Sequence, residues 1–164
     1  MIFYVDGACS GNGTDHSSGA FGVVGINDED QMFYWFYDPT KDTTNNREEL
    51  KAILHVMRHF GMEDEVPIVY SDSAYSVNTY NDWMFKWSQN NWKKADGNTP
   101  ENLDLIREYY RLYQQGYRID LQKVKGHAGN KWNEFVDKLA KGIDVFTDKP
   151  VRGLRRETDI IDSQ

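Results

Sequence analysis

The chain has 164 residues, about one domain's worth, and a formal net charge of −7, which excludes coating nucleic acid by bulk charge but leaves room for a local basic groove. Aromatic residues make up 14% of it, far too many for a disordered chain, so a packed core is expected. The single cysteine excludes an intramolecular disulfide framework and a cysteine zinc site, pointing to a reducing, cytoplasmic setting, while no apolar run reaches the roughly 18 residues of a membrane helix and residues 1–6 lack the basic flank of a signal peptide.

Residues 2–6 form a short apolar and aromatic run that reads as a strand. Residues 7–19 hold four glycines and read as a loop. Residues 20–26 and 32–37 are two more strand-like runs, separated by a polar stretch of hairpin length. From about Asn46, the residues Leu50, Ile53, Leu54, Met57 and Phe60 fall on one helical stripe that Gly61 ends. Residues 66–70 suit a buried strand, and residues 73–89 a helix whose limits are blurred by Trp83, Trp87 and Trp92. Thr99-Pro100-Glu101 has the form of a helix start, and that helix runs through Leu103, Ile106, Tyr110 and Tyr113 to Gly116. Residues 117–124 alternate as a strand, the Gly126-His127-Ala128-Gly129 loop follows, and a last helix carries Trp132, Phe135, Val136, Leu139 and Ile143.

An opening meander followed by strand–helix alternation implies one mixed sheet flanked by helices. The expected division is a single domain over residues 1–147 and a loosely attached tail over residues 148–164, in which four basic residues balance four acidic ones.

Asp6 and Asp72 each follow an apolar strand. If those strands are parallel neighbours, both carboxylates emerge at the same carboxyl edge, where open α/β sheets bind ligands; taken alone, each reads first as a turn-starting Asp. Glu48 and Glu49 open the first long helix, where an acid suits the positive dipole end. Asp137 lies within the last helix, four residues after Asn133, in a place that also suits a solubilising residue.

Asp6-Gly7-Ala8, the run from Thr44 to Leu50, Tyr70-Ser71-Asp72-Ser73, and Val124 to Gly129 followed by Asn133 and Asp137 occur in that order. Together they resemble the type 1 ribonuclease H family over residues 2–143. The resemblance implies a ribonuclease H-like α/β fold with a mixed five-stranded sheet. It also implies an endonuclease that cleaves the RNA strand of an RNA/DNA hybrid and leaves 3′-hydroxyl and 5′-phosphate ends. Asp6, Glu49, Asp72 and Asp137 correspond to the family's metal-binding carboxylates, Glu49 being chosen over Glu48 because it directly precedes Leu50. Two Mg²⁺ ions are implied, with Mn²⁺ as an alternative, since hard ions take oxygen ligands and a pair about 3.5–4 Å apart stabilises both the attacking and the departing oxygen. His127, between glycines, corresponds to an auxiliary proton carrier, though it also reads as a surface histidine in a loop.

By the same resemblance Cys9, Asn12, Thr44, Asn45 and Asn46 are substrate contacts. The asparagines are suited to reading 2′-hydroxyls across a wide minor groove, and Thr44 with Asn12 and Asn45 to holding a DNA-strand phosphate. Thr44 and Asn45 also fit as helix caps. Trp83, Lys86, Lys93 and Lys94 match the family's basic protrusion against the DNA strand, with Trp92 structural. Residues 83–98 carry only three Lys against one Asp, a thin version of that feature. Ala74 stands where many bacterial relatives have a Gln, and the loop over residues 13–18 looks longer than usual. No separate amino-terminal hybrid-binding domain is expected, and the expected state is a monomer with no membrane partner. The competing reading is a non-catalytic RNA/DNA-hybrid-binding module of the same fold, against which the retention of four acids weighs.

Overall fold

The computed structural model describes residues 1–11, 17–126, 129–144, 149–150 and 156–158, with 144, 149–150 and 156–158 described by backbone alone. The elements in chain order are β1 (Ile2–Ser10), β2 (Ser18–Ile26), β3 (Met32–Lys41), α1 (Asn45–Phe60), β4 (Ile68–Ser71), α2 (Ala74–Asn78), α3 (Met84–Ser88), α4 (Leu103–Gln114), β5 (Asp120–Lys123) and α5 (Lys131–Ala140). Three short strands, β6 (Ile143–Asp144), β7 (Lys149–Pro150) and β8 (Arg156–Thr158), follow.

The sheet order is β5-β4-β1-β2-β3, with the tail strand β8 added along the outer edge of β3. β1, β2 and β3 pair antiparallel, whereas β1–β4 and β4–β5 pair parallel, so the sheet is mixed. Alternation along β1 divides the two layers. Phe3 and Val5 pack with Phe21, Val23 and the α1 residues Leu50, Ile53, Leu54 and Met57, a layer that α4 extends through Ile106 and Tyr109. Tyr4 faces the other way, with Val24, Ile26, Trp132 and Val136 under α5. The Tyr109 hydroxyl donates to the Leu50 carbonyl at 2.5 Å and ties α4 to α1.

Several elements differ from their sequence reading; the last helix stops at Ala140, so Ile143, expected on its apolar side, falls in β6. β1 runs on to Ser10 through residues that read as loop, because Gly7 and Ala8 stay paired with Phe21 and Ala20. Residues 73–89 are not one regular helix: a π-helical turn, Thr79–Trp83, separates α2 from α3. α4 starts at Leu103, not at Pro100, because Asn102 takes the left-handed conformation (φ 59°) and its amide is used elsewhere, as described below.

Candidate active site

Parallel pairing sets Tyr4 opposite Tyr70, and two residues further along each strand stand Asp6 and Asp72. Asp6 is 4% exposed. Its carboxylate, that of Glu49 at the start of α1 and that of Asp72 each offer an oxygen within 4.8 Å of the others. Asp137, on α5, is not one of that group of three; its charge bears on Asp6, and its carboxylate is paired with Lys141 at 3.0 Å. Of the four acids expected to act together, three are therefore gathered, from β1, α1 and the end of β4, with Asp137 standing outside that group on α5.

The approach of α1 to β1 depends on Gly7. A Cβ at that position would stand 2.4 Å from the Glu49 backbone nitrogen and 2.9 Å from Glu48 Cβ, so only glycine lets the helix start lie on the strand. Thr44 begins the helix by accepting a hydrogen bond from the Arg47 N–H at 3.1 Å. The two acids that follow are sorted in opposite directions. Glu48 is fully buried, and it accepts hydrogen bonds from Thr43 Oγ1 at 2.7 Å and Lys51 Nζ at 2.9 Å. Glu49 turns to Asp6 instead.

Crowding acids in a buried place disfavours their ionisation. Burial pushes the Asp6 carboxyl from its ordinary 3.8 up to about 7; contact with Glu49 counters this in part, and the charges of Asp72 and Asp137 add to it. Burial likewise holds Glu49 well above the usual carboxylate range, and the Asp6 charge adds to it. Glu49 Oε2 is buried with no hydrogen-bond partner among the described residues. An all-oxygen donor set with an orphaned carboxylate oxygen at its centre fits a hard divalent cation and offers nothing to a soft one.

His127 and Asn12, expected as proton carrier and substrate contact, lie outside the described residues. Gly126, which precedes His127, lies against the site: a Cβ there would come within 3.1 Å of Asp72 Oδ2. Thr44, Asn45 and Asn46 line one groove of about 480 Å³ with Glu101 and Asn102. Cys9 is not part of that groove; its Sγ donates to the Thr43 carbonyl at 3.3 Å. Trp83 packs on Trp87 (5.6 Å between centroids) and Tyr75 (6.0 Å). Lys86 is paired with Asp82 at 3.2 Å, and Lys93 donates to Thr99 Oγ1 at 2.8 Å. Lys94 donates its backbone N–H to the Asn98 carbonyl in the same turn. Trp92 packs edge-on against Tyr110. Ala74 is exposed at the first turn of α2.

One polar bridge is missing from the sequence reading. Arg47 makes a two-point contact with Asp104 at 3.0 and 2.8 Å and reaches Asn102 Oδ1 at 3.4 Å, while Asn102 Nδ2 donates to the Tyr75 hydroxyl at 3.0 Å. This fixes the α1 amino end, with its asparagines, against α2 and α4. The only local signal for it is an asparagine just before an apolar-periodic run.

A family model described as RNase H matches residues 1–143. The chain belongs to the ribonuclease H family. It is 40% identical over 141 residues to the ribonuclease H of Acetivibrio thermocellus, a match that covers 85% of this chain and 91% of that protein. The ribonuclease H of Clostridium botulinum is 36% identical over 148 residues, covering 89% and 97%. Among solved structures, LC9-RNase H1, described as a type 1 RNase H with the type 2 active-site motif, superposes with a TM-score of 0.71 at 26% identity, covering 96% of this chain and 76% of that one. The ribonuclease H domain of prototype foamy virus shares the fold, with a TM-score of 0.74 at 21% identity and coverage of 85% and 91%. Membership makes the chain a ribonuclease, and the acid cluster is the part of it able to hold a divalent cation.

Proposed function

We propose that this ribonuclease cuts the RNA strand of RNA/DNA hybrids using Mg²⁺, with Mn²⁺ as a substitute, and leaves 3′-hydroxyl and 5′-phosphate ends. The observation that carries the reading is the convergence of Asp6, Glu49 and Asp72, with a buried Glu49 oxygen that no group among the described residues satisfies. Divalent ions held there would supply charge stabilisation for the attacking water and the departing 3′ oxygen.

The chain's own residues divide the remaining work. Asp6, Glu49 and Asp72, with Asp137, would hold the ions. Lys141 holds the Asp137 carboxylate from the solvent side. His127 is assigned the carrying of a proton to or from the reacting oxygens, and the residue before it, Gly126, lies against Asp72. Asn45 and Asn46 read ribose 2′-hydroxyls from the groove beside α1, where Thr44 adds a phosphate contact, and Asn12 is assigned to the same substrate. Trp83, Lys86, Lys93 and Lys94 hold the DNA strand, and Cys9 supports the α1 side of the groove through Thr43. Action as a monomer in the cytoplasm belongs to the same proposal. No helix among the described residues is long and apolar enough to cross a membrane.

One set of labelled duplexes tests it: RNA/DNA, RNA/RNA, DNA/DNA and single-stranded RNA, each with Mg²⁺. Cutting confined to the RNA strand of the hybrid is expected. Comparable cutting of DNA/DNA, or binding of the hybrid without any cleavage, would overturn it, the latter in favour of a binding module.

A further inference from the structure

Two buried side-chain oxygens lack a hydrogen-bond partner among the described residues: Glu49 Oε2 and Asn133 Oδ1. The first belongs to the acid cluster. The second has no place yet in the chemistry. Asn133 is 3% exposed and stands four residues before Asp137 on α5, so the two side chains share a helix face one turn apart. The charge of Asp137 bears in turn on Asp6, one of the three grouped acids.

Its neighbours in sequence are accounted for by packing. Trp132 and Val136 fill the apolar layer beneath the helix. Asn130 caps α5, accepting from the backbone N–H groups of Trp132 and Asn133, and donates to the Tyr4 hydroxyl at 3.3 Å. Asn133 does neither. A leucine would fill much the same space without burying an unpaired carbonyl, and a buried acceptor left unpaired costs stability. Packing therefore does not explain an amide at this position.

We propose that Asn133 is a positioning residue for the cation on the Asp137 side, its Oδ1 accepting a hydrogen bond from a water carried in with the ion. The inference rests on the cation reading of the acid cluster. Small hard divalent ions keep several of their waters, and those waters need acceptors. An amide oxygen provides one without adding a further negative charge to four crowded carboxylates. Partners of this outer kind typically govern metal affinity by 10–100-fold.

The test compares Asn133→Leu, Asn133→Asp and Asp137→Asn, using Mg²⁺ or Mn²⁺ alone, by calorimetric titration and by melting with and without the ion. For Asn133→Leu, ion affinity should fall about tenfold, the ion-free Tm should hold or rise, and the ion-induced rise in Tm should shrink. Asn133→Asp keeps an acceptor in place and should keep the affinity. A merely structural asparagine gives the opposite pattern, a lower ion-free Tm or a failure to fold in Asn133→Leu with ion affinity unmoved in any folded variant, and that pattern overturns the proposal. So does a loss of ion affinity in Asn133→Asp. Unchanged ion affinity in Asp137→Asn overturns the proposal, since no ion is then held on that side. Asp72→Asn, measured alongside, separates the two levels: if it too leaves ion affinity intact, the cation reading itself fails, whereas if it weakens binding and Asn133→Leu does not, only the role of Asn133 fails.

Discussion

Gly7 and Glu49 are in backbone contact: the strand passes so close under the start of α1 that a methyl group on Gly7 would lie 2.4 Å from the Glu49 nitrogen. Gly7→Ala must push the helix away, at a cost of about 1–3 kcal/mol for overpacking. Because the displaced residue is Glu49, ion affinity should fall further than stability alone explains. Thermal melting and ion titration of the same variant check this, and an Ala variant of native ion affinity would show that the helix start is not held by the strand.

Asp72→Asn keeps shape and removes one charge from the cluster. Mg²⁺-dependent cleavage should be abolished, because a neutral amide is a poor ligand for a hard ion, while the ion-free protein holds or gains stability. Glu48→Gln should do the reverse. Glu48 is buried against Thr43 and Lys51, away from Asp6, so neutralising it should cost about 1–3 kcal/mol of stability and leave the turnover of the folded enzyme largely intact. Cleavage rates and melting curves of both variants decide between the two acids.

The raised carboxyls make ion-free stability depend on pH in an unusual direction. Asp6 is lifted from 3.8 to about 7 in the folded protein, so between those values the folded state binds more protons than the unfolded chain. That stability is fully present at the acid end and is lost as pH rises through about 7. Glu49, shifted the same way, adds to the effect. In chelator, Tm should therefore fall between about pH 5 and pH 8, and Asp6→Asn should flatten the fall. A chelated wild type whose Tm rises over that range contradicts the arrangement.

Lys86 is already neutralised by Asp82. Replacing Lys86, Lys93 and Lys94 together by Ala should weaken hybrid binding and lower the slope of log affinity against log salt by less than about 3, since each phosphate contact contributes about 0.9 on B-DNA. Single-turnover cleavage at saturating hybrid should be spared. A collapse of that rate would move these lysines into the active site.

What the sequence reveals about this site depends on how local each cause is. Asp6 and Asp72 are legible because each follows a short apolar run, and parallel pairing carries that equivalence into space. Glu49 is separable from Glu48 only through the family pattern; the physical difference is made by Thr43 and Lys51 taking up Glu48, which no periodicity displays. Residues 7–10 read as loop because glycine is a loop signal, whereas here it serves the approach of a helix to a continuing strand. The late start of α4 has the same origin at longer range: Asn102 answers to Arg47 and Tyr75, far away in the chain, and its own neighbours say helix. Asn133 is visible as a spacing from Asp137, but its orphaned oxygen exists only in the folded core.

The parallel pairing of Tyr4 with Tyr70 joins segments that no hairpin brings together. It sets a schedule for folding. Contacts of such sequence separation carry a large closure cost and form late. A refolding chain therefore has no ion-binding place to offer until β1, β4 and α1 have docked. Divalent ions should leave the refolding rate unchanged and slow unfolding alone, since an interaction absent from the transition state appears wholly in the unfolding limb. The cation is then a lock turned after the door has closed, and it protects the native enzyme without helping to make it.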